Sequence, residues 1–220
     1  MLNPTLTIRN SGSRTRLDSF RVFCLTTNYK AHAKEMGNNP DDHPCMFLKP
    51  PTALLPLAPE ETGSVVIPSY GKELHHEVEM VLAVLGGGKL AFGVGLDLTL
   101  RDIQKELKAK SRPWLLSKGW DRSGPVSEFV HQDEAGEWTG LSIRLEVNGE
   151  VRQQAPVSQM TLGVPQILEF VGGFSPLRTG DLVFTGTPEG IGPLVPGDTA
   201  RAALLAGGNE LTSLAVSIQR

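Results

Sequence analysis

Cysteine is scarce. Cys24 and Cys45 are the only two, too few for a disulfide scaffold and without the CxxC spacing of structural zinc. Cys24 lies in an apolar run and reads as a small buried hydrophobe. Long apolar runs are missing too, and none approaches the roughly 18–20 residues of a membrane span. Charge of one sign is also lacking: the formal net charge is −3 and no basic stripe stands out. A nucleic-acid partner therefore has no counterion-release surface to bind. Glycine (24) and proline (16), by contrast, are plentiful among the 220 residues. That implies many turns and short strands, and argues against a helical bundle or a coiled coil. A chain of this length suits one domain with a sizeable core.

Residues 1–20 carry Arg9, Arg14 and Arg16 among serines and threonines, with Asp18 as the one acid. That is weakly like a transit peptide, but no amphipathic face supports it. An irregular leader or an edge strand is expected, ahead of a single domain over residues 21–220. The cytoplasm is the expected location, with the mitochondrion as the option for a eukaryotic source.

Local patterns predict a buried strand over 21–27 (RVFCLTT), a short helix over 29–36 (YKAHAKEM) and a loop over 40–44. Strands are predicted over 46–49 and 65–68, and most strongly over 74–85 (LHHEVEMVLAVL). Residues 92–98 resume β character, and 99–110 (TLRDIQKELKAK) read as an amphipathic helix capped by Thr99 or an earlier residue. Asn148-Gly149 suits a type I′ turn between strands 142–147 and 150–153. A helix over 164–171, a strand over 181–185 and two final strands follow.

The chemistry begins with Glu77 and Glu79. At i and i+2 of a strand they share a face, about 6.6 Å apart at Cα, while Val78 and Met80 face the apolar side. Two such acids suit either a solvated face or a bound cation. Asp97, in the apolar and glycine-rich FGVGLDLTLRD, is either a helix cap or a third acid of the same cluster. Three carboxylates without nitrogen or sulfur partners suit a hard ion, Mg²⁺ or Mn²⁺. A divalent ion leaves them one negative charge, which Lys118, in the apolar WLLSKGW, can balance. His32 and Glu35 share a helix face at i, i+3, either as a surface pair or as an imidazole whose tautomer is held by a carboxylate. His75 and His76 read as structural or rim residues. TGTPEGIG lacks the Gly-Lys-Ser/Thr of a phosphate loop.

Several blocks together resemble the fumarylacetoacetate hydrolase family, closest to its small acylpyruvate hydrolase branch. They are NYKAHAKE (28–35), MFLKP (46–50), LHHEVEM (74–80), GLDLTLRDIQ (95–104), RPWLLSKGWDRSGPV (112–126), VNGEVRQ (147–153) and GDLVFTGTPEGIGPLVPGD (180–198). The resemblance implies a mainly β fold with short helices, a mixed β-sandwich roll, forming a homodimer. It implies metal ligands at Glu77, Glu79 and Asp97, a charge-stabilising Lys118, substrate-holding Gln104 and Thr187, and a catalytic His32–Glu35 dyad on a lid. It also implies a substrate: a small 2-oxo acid such as an acylpyruvate, cleaved to pyruvate and a carboxylic acid. Oxaloacetate decarboxylation, or isomerisation of a hydroxymuconate, would use the same enolate. More distant options are a cupin-like iron site using His75, Glu77 and His131, and a non-catalytic binding module. The chain departs from the family pattern at Thr26-Thr27, where Gly-Arg is usual, and in a short connection over 86–91.

Overall fold

The structure is a computed structural model, described for residues 4–39 and 45–220. The loop expected over 40–44 lies outside the described residues. Its centre is the antiparallel pair Val78–Gly86 and Lys89–Leu96. These strands are apolar on both sides. Met80, Leu82, Phe92 and Val94 enter one core cluster, and Val81, Ala83 and Ala91 enter the other. A strand buried on both faces reads as a continuous apolar run, which is why this segment is the strongest β signal in the sequence.

Around the pair grows a ten-stranded mixed sheet. On one side Asp181–Phe184, Arg21–Leu25 and Met46–Lys49 follow in order, the first two parallel. On the other side come Phe129–His131, Thr5–Asn10 and Ser13–Asp18. A five-stranded sheet packs against the centre, with Ile143, Leu145, Ala202, Leu204, Leu214 and Val216 completing the larger core. The fold is mainly β with short helices, as the sequence implies.

Residues 5–18 are not an irregular leader. They form an edge hairpin, because Leu6 and Ile8 alternate onto one buried face. The short connection is a tight turn, with Gly87 and Gly88 at positive φ, so the central strands pair directly. The Asn148-Gly149 turn forms as expected. The strand expected over 65–68 runs from Thr62 to Val66. Helix Arg101–Ala109 has no side-chain cap, since Thr99 donates instead to the Asp97 carbonyl at 2.9 Å.

Candidate active site

The segment expected as one strand over 74–85 breaks at Glu77. Leu74–His76 pairs in a separate three-stranded sheet with Thr99–Leu100 and Gly192–Leu194, while Val78–Gly86 enters the large sheet. Glu77 therefore stands at a corner between two sheets, its carbonyl accepting from Asp97 N–H at 2.9 Å. Glu79, on the same side as Val81 and Ala83, lies at the start of that buried face. One carboxylate oxygen from each of Glu77, Glu79 and Asp97 lies within 4.8 Å of the others. All three residues are buried, none more than 5 % exposed.

Three buried carboxylates repel one another, and the surroundings answer that in part. Lys118 Nζ reaches Glu77 Oε2 at 2.7 Å and Asp97 Oδ2 at 2.5 Å. Arg101 donates to the other Glu77 oxygen and, at 2.5 Å, to Gln104 Oε1. Burial opposes the charge on Glu77, but Lys118 and Arg101 outweigh it and hold the carboxyl well below its usual range. Burial disfavours the Lys118 charge too, yet Asp97 and Glu77 raise its pKa. Glu79 has the opposite balance. Burial, then the charges of Asp97 and Glu77, push its carboxyl well above the usual range, although Gly186 N–H donates to it at 2.6 Å. Gly186 can turn its N–H there because its φ is +95°, and a side chain at that position would strike Asn28.

Lys49, 1 % exposed, donates to the Lys118 carbonyl, the Ser123 carbonyl at 3.2 Å and Ser123 Oγ at 3.1 Å. Its three donors are then committed. It faces Asp97 Oδ1 at 2.9 Å as a charge, and that buried oxygen accepts no hydrogen bond. An all-oxygen set with one oxygen unbonded and one carboxyl forced upward in pKa fits a hard divalent cation. Oxygens on opposite sides of Mg²⁺ lie about 4.2 Å apart, twice the ~2.1 Å bond.

His32, Gln104 and Thr187 line the same cleft as the three acids. His32 Nδ1 lies 3.0 Å from Glu35 Oε2, and Gly190 N–H donates to Glu35 Oε1 at 3.0 Å. The carboxylate thus assigns the proton to Nδ1 and leaves Nε2 as an acceptor. Thr187 Oγ1 accepts from Gln153 Nε2 at 2.9 Å, which leaves its own O–H free to donate. His75 pairs with Glu73 at 2.8 Å, and His131 accepts from Asp133 N–H at 3.2 Å. Among the described residues the metal-competent cluster contains no histidine, so the cupin-like arrangement is not formed.

The chain's likenesses follow from this core. The family model described as fumarylacetoacetate (FAA) hydrolase C-terminal matches residues 21–89 and 90–218. The chain belongs to the fumarylacetoacetate hydrolase family. Among curated relatives, an oxaloacetate tautomerase of Escherichia coli is 40% identical over 195 residues, 81% of this chain and 85% of that one. The mitochondrial oxaloacetate tautomerase of Mus musculus is 37% identical over 194 residues, 83% and 86% of the two chains. Among solved structures, fumarylpyruvate hydrolase from Pseudomonas aeruginosa, in complex with Mn²⁺ and pyruvate, has a TM-score of 0.89. It is 34% identical and covers 98% of this chain and 97% of its own. Family members are enzymes, and no helix among the described residues is long and apolar enough to cross a membrane.

Three residues of the site escape a reading of the sequence. Arg101 sits in LDLTLRD, four residues after Asp97, and its charge there was a usable signal. Lys49, in the apolar MFLK strand, carried the same signal as Lys118. Gln153 carried none. It is 1 % exposed, lies near His76 Nδ1 at 2.9 Å and accepts from Val78 N–H at 3.2 Å. Its amide nitrogen donates to Thr187 Oγ1 and the Pro188 carbonyl, so one side chain ties the Glu77 corner to the Thr187 loop.

Proposed function

We propose that the chain is a divalent-metal-dependent enzyme of small 2-oxo acids that works through an enolate, with keto–enol tautomerisation of oxaloacetate as its reaction. The observation that carries the enolate chemistry is Lys118, a buried cation tied to two of three buried carboxylates in the cleft lined by His32; the likeness to oxaloacetate tautomerases favours that reaction. When bound by Glu77, Glu79 and Asp97, Mg²⁺ or Mn²⁺ supplies Lewis acidity toward the 2-oxo group. Lys118 places a fixed positive charge where the oxygen becomes negative. His32 Nε2 takes the proton from C3 as the C2 oxygen becomes an enolate, that oxygen is then protonated to give the enol, and the reverse transfer to C3 regenerates the keto form; Glu35 keeps the ring in the tautomer that can do so. The Gln104 amide and the Thr187 hydroxyl offer donors to substrate oxygens.

A second reading, acylpyruvate hydrolysis, is favoured by the anchored His32–Glu35 pair and by the likeness to the Pseudomonas hydrolase. In it His32 deprotonates water, the water oxygen adds to the distal carbonyl, and the C–C bond breaks with its electrons passing to the pyruvate enolate. Proton NMR of oxaloacetate, acetylpyruvate and fumarylpyruvate, with and without Mg²⁺, separates the two readings. Faster enol–keto exchange supports the first, carboxylate release the second, and CO₂ release a decarboxylase. Rates equal to buffer for all three substrates would sink the proposal. The second copy of the chain implied by the resemblance belongs to the same proposal, and a monomer mass in light scattering would count against it.

Metal binding has its own check. Mn²⁺ at about a hundred times its dissociation constant should stabilise the fold by about 2.7 kcal/mol. For a chain of this size that is a rise in Tm of roughly 5–10 °C. Glu77→Ala, Glu79→Ala and Asp97→Ala should each lose the rise, and a variant that keeps it in full has lost no ligand.

A further inference from the structure

The floor of the cleft has an electrostatic balance that specifies its ligand. With a divalent cation held by their carboxylates, Glu77, Glu79 and Asp97 bring three negative charges, and Lys49, Arg101 and Lys118, in ion-pair contact with Glu77 or Asp97, bring three positive ones. With a divalent cation added, the buried cluster carries two positive charges. In a desolvated site that surplus favours a ligand bearing two negative charges over one bearing a single charge.

The wall of the cleft shows where the second charge would go. Arg101, Gln104 and Lys108 lie at i, i+3 and i+7 of helix Arg101–Ala109, a single stripe that lines the cleft. Arg101 and Gln104 are buried at the floor, and Lys108 is exposed at the rim. At 1.5 Å per residue, Lys108 stands about 6 Å further along the axis than Gln104, comparable with the length of a small dicarboxylic acid. The other cations lining the cleft are committed, Arg101 to Glu77 and Lys118 to Glu77 and Asp97. Lys108 has no carboxylate partner among the described residues and lies 5.8 Å over the Trp114 ring. Trp114 packs on Phe47 at 6.0 Å, and Phe47 lies 5.3 Å from Lys118 Nζ, so an aromatic wall joins the two lysines.

We infer that Lys108 is a specificity-determining residue that receives the distal carboxylate of the substrate, so that the enzyme selects 2-oxo dicarboxylates over 2-oxo monocarboxylates. This rests on the reading of the cleft as a 2-oxo acid site. The test is calorimetric titration of the Mn²⁺-loaded full chain with 2-oxoglutarate and 2-oxovalerate, which differ only in a carboxylate or a methyl at the far end. The wild type should prefer 2-oxoglutarate. Lys108→Met should reduce that preference about tenfold, and Lys108→Arg should retain most of it. An unreduced preference in Lys108→Met overturns the assignment. If the wild type binds both acids equally, the 2-oxo acid site stands and only the role of Lys108 falls. If it binds neither, the functional reading falls and the assignment with it.

Discussion

Lys118→Met is expected to lower turnover by about 10²–10³-fold, the usual worth of one preorganised charge at a developing oxyanion. Methionine keeps most of the length of the side chain and removes the cation, so the loss is mainly that of charge. Glu77 and Asp97 each lose a hydrogen-bonded partner, at 2.7 and 2.5 Å. Breaking a buried pair costs about 3–5 kcal/mol in stability, so the metal-free variant should melt well below the wild type. Mn²⁺ should recover part of that loss, because the cation compensates the same carboxylates. The deciding comparison is therefore made on the metal-loaded protein. Turnover should collapse while Mn²⁺ affinity, measured by calorimetry, is kept or increased. Near-wild-type turnover in that variant would remove Lys118 from the chemistry and leave it a structural counter-ion.

His32→Ala is the second large effect and bears on which reaction occurs. Enolisation and hydrolysis both need a base in the cleft, and His32 Nε2 is the group the Glu35 contact leaves free to act. Either rate should fall by about 10²–10⁴-fold, the typical contribution of a positioned general base. Decarboxylation of oxaloacetate needs only an electron sink, which Lys118 and the bound metal provide, so it should be much less affected. Glu35→Gln should act in the same direction more weakly, since the amide can still orient the ring but carries no charge. If His32→Ala enolises oxaloacetate and hydrolyses acylpyruvates at wild-type rates, the pair on helix Lys30–Glu35 is structural and another group is the base.

The route from sequence to site was open where the information is local. Alternation places Glu77 and Glu79 on one side and sends Val78 and Met80 into the core, and both of those are fully buried. Asn148 and Gly149 take positive φ because the turn demands it, and any chain with that dipeptide between two strands says so. Continuous apolar character marks Val78–Gly86 as a strand covered on both sides. The same runs hide the corner at Glu77, since a change of sheet leaves no mark on apolar periodicity. The N-terminal hairpin is legible only as one of two options, an irregular leader or an edge strand, because little beyond Leu6 and Ile8 carries its alternation. Composition there is polar, and the parallel partner of Thr5–Asn10, Phe129–His131, lies far along the chain.

By itself the sequence determined the donor chemistry: three acids, one lysine in an apolar setting, a histidine one helical turn from a glutamate, and a mainly β frame to hold them. The tertiary structure decided the electrostatics. Lys49, Arg101 and Lys118 arrive on three separate elements, Lys49 at Asp97 and the other two at Glu77, where they lower its pKa while that of Glu79 is raised. Gln153, from the other sheet, fixes the corner and the Thr187 loop together. Periodicity along a chain reports which face a residue takes. The balance of buried charge depends on which faces meet, and that is set by packing between elements distant in sequence.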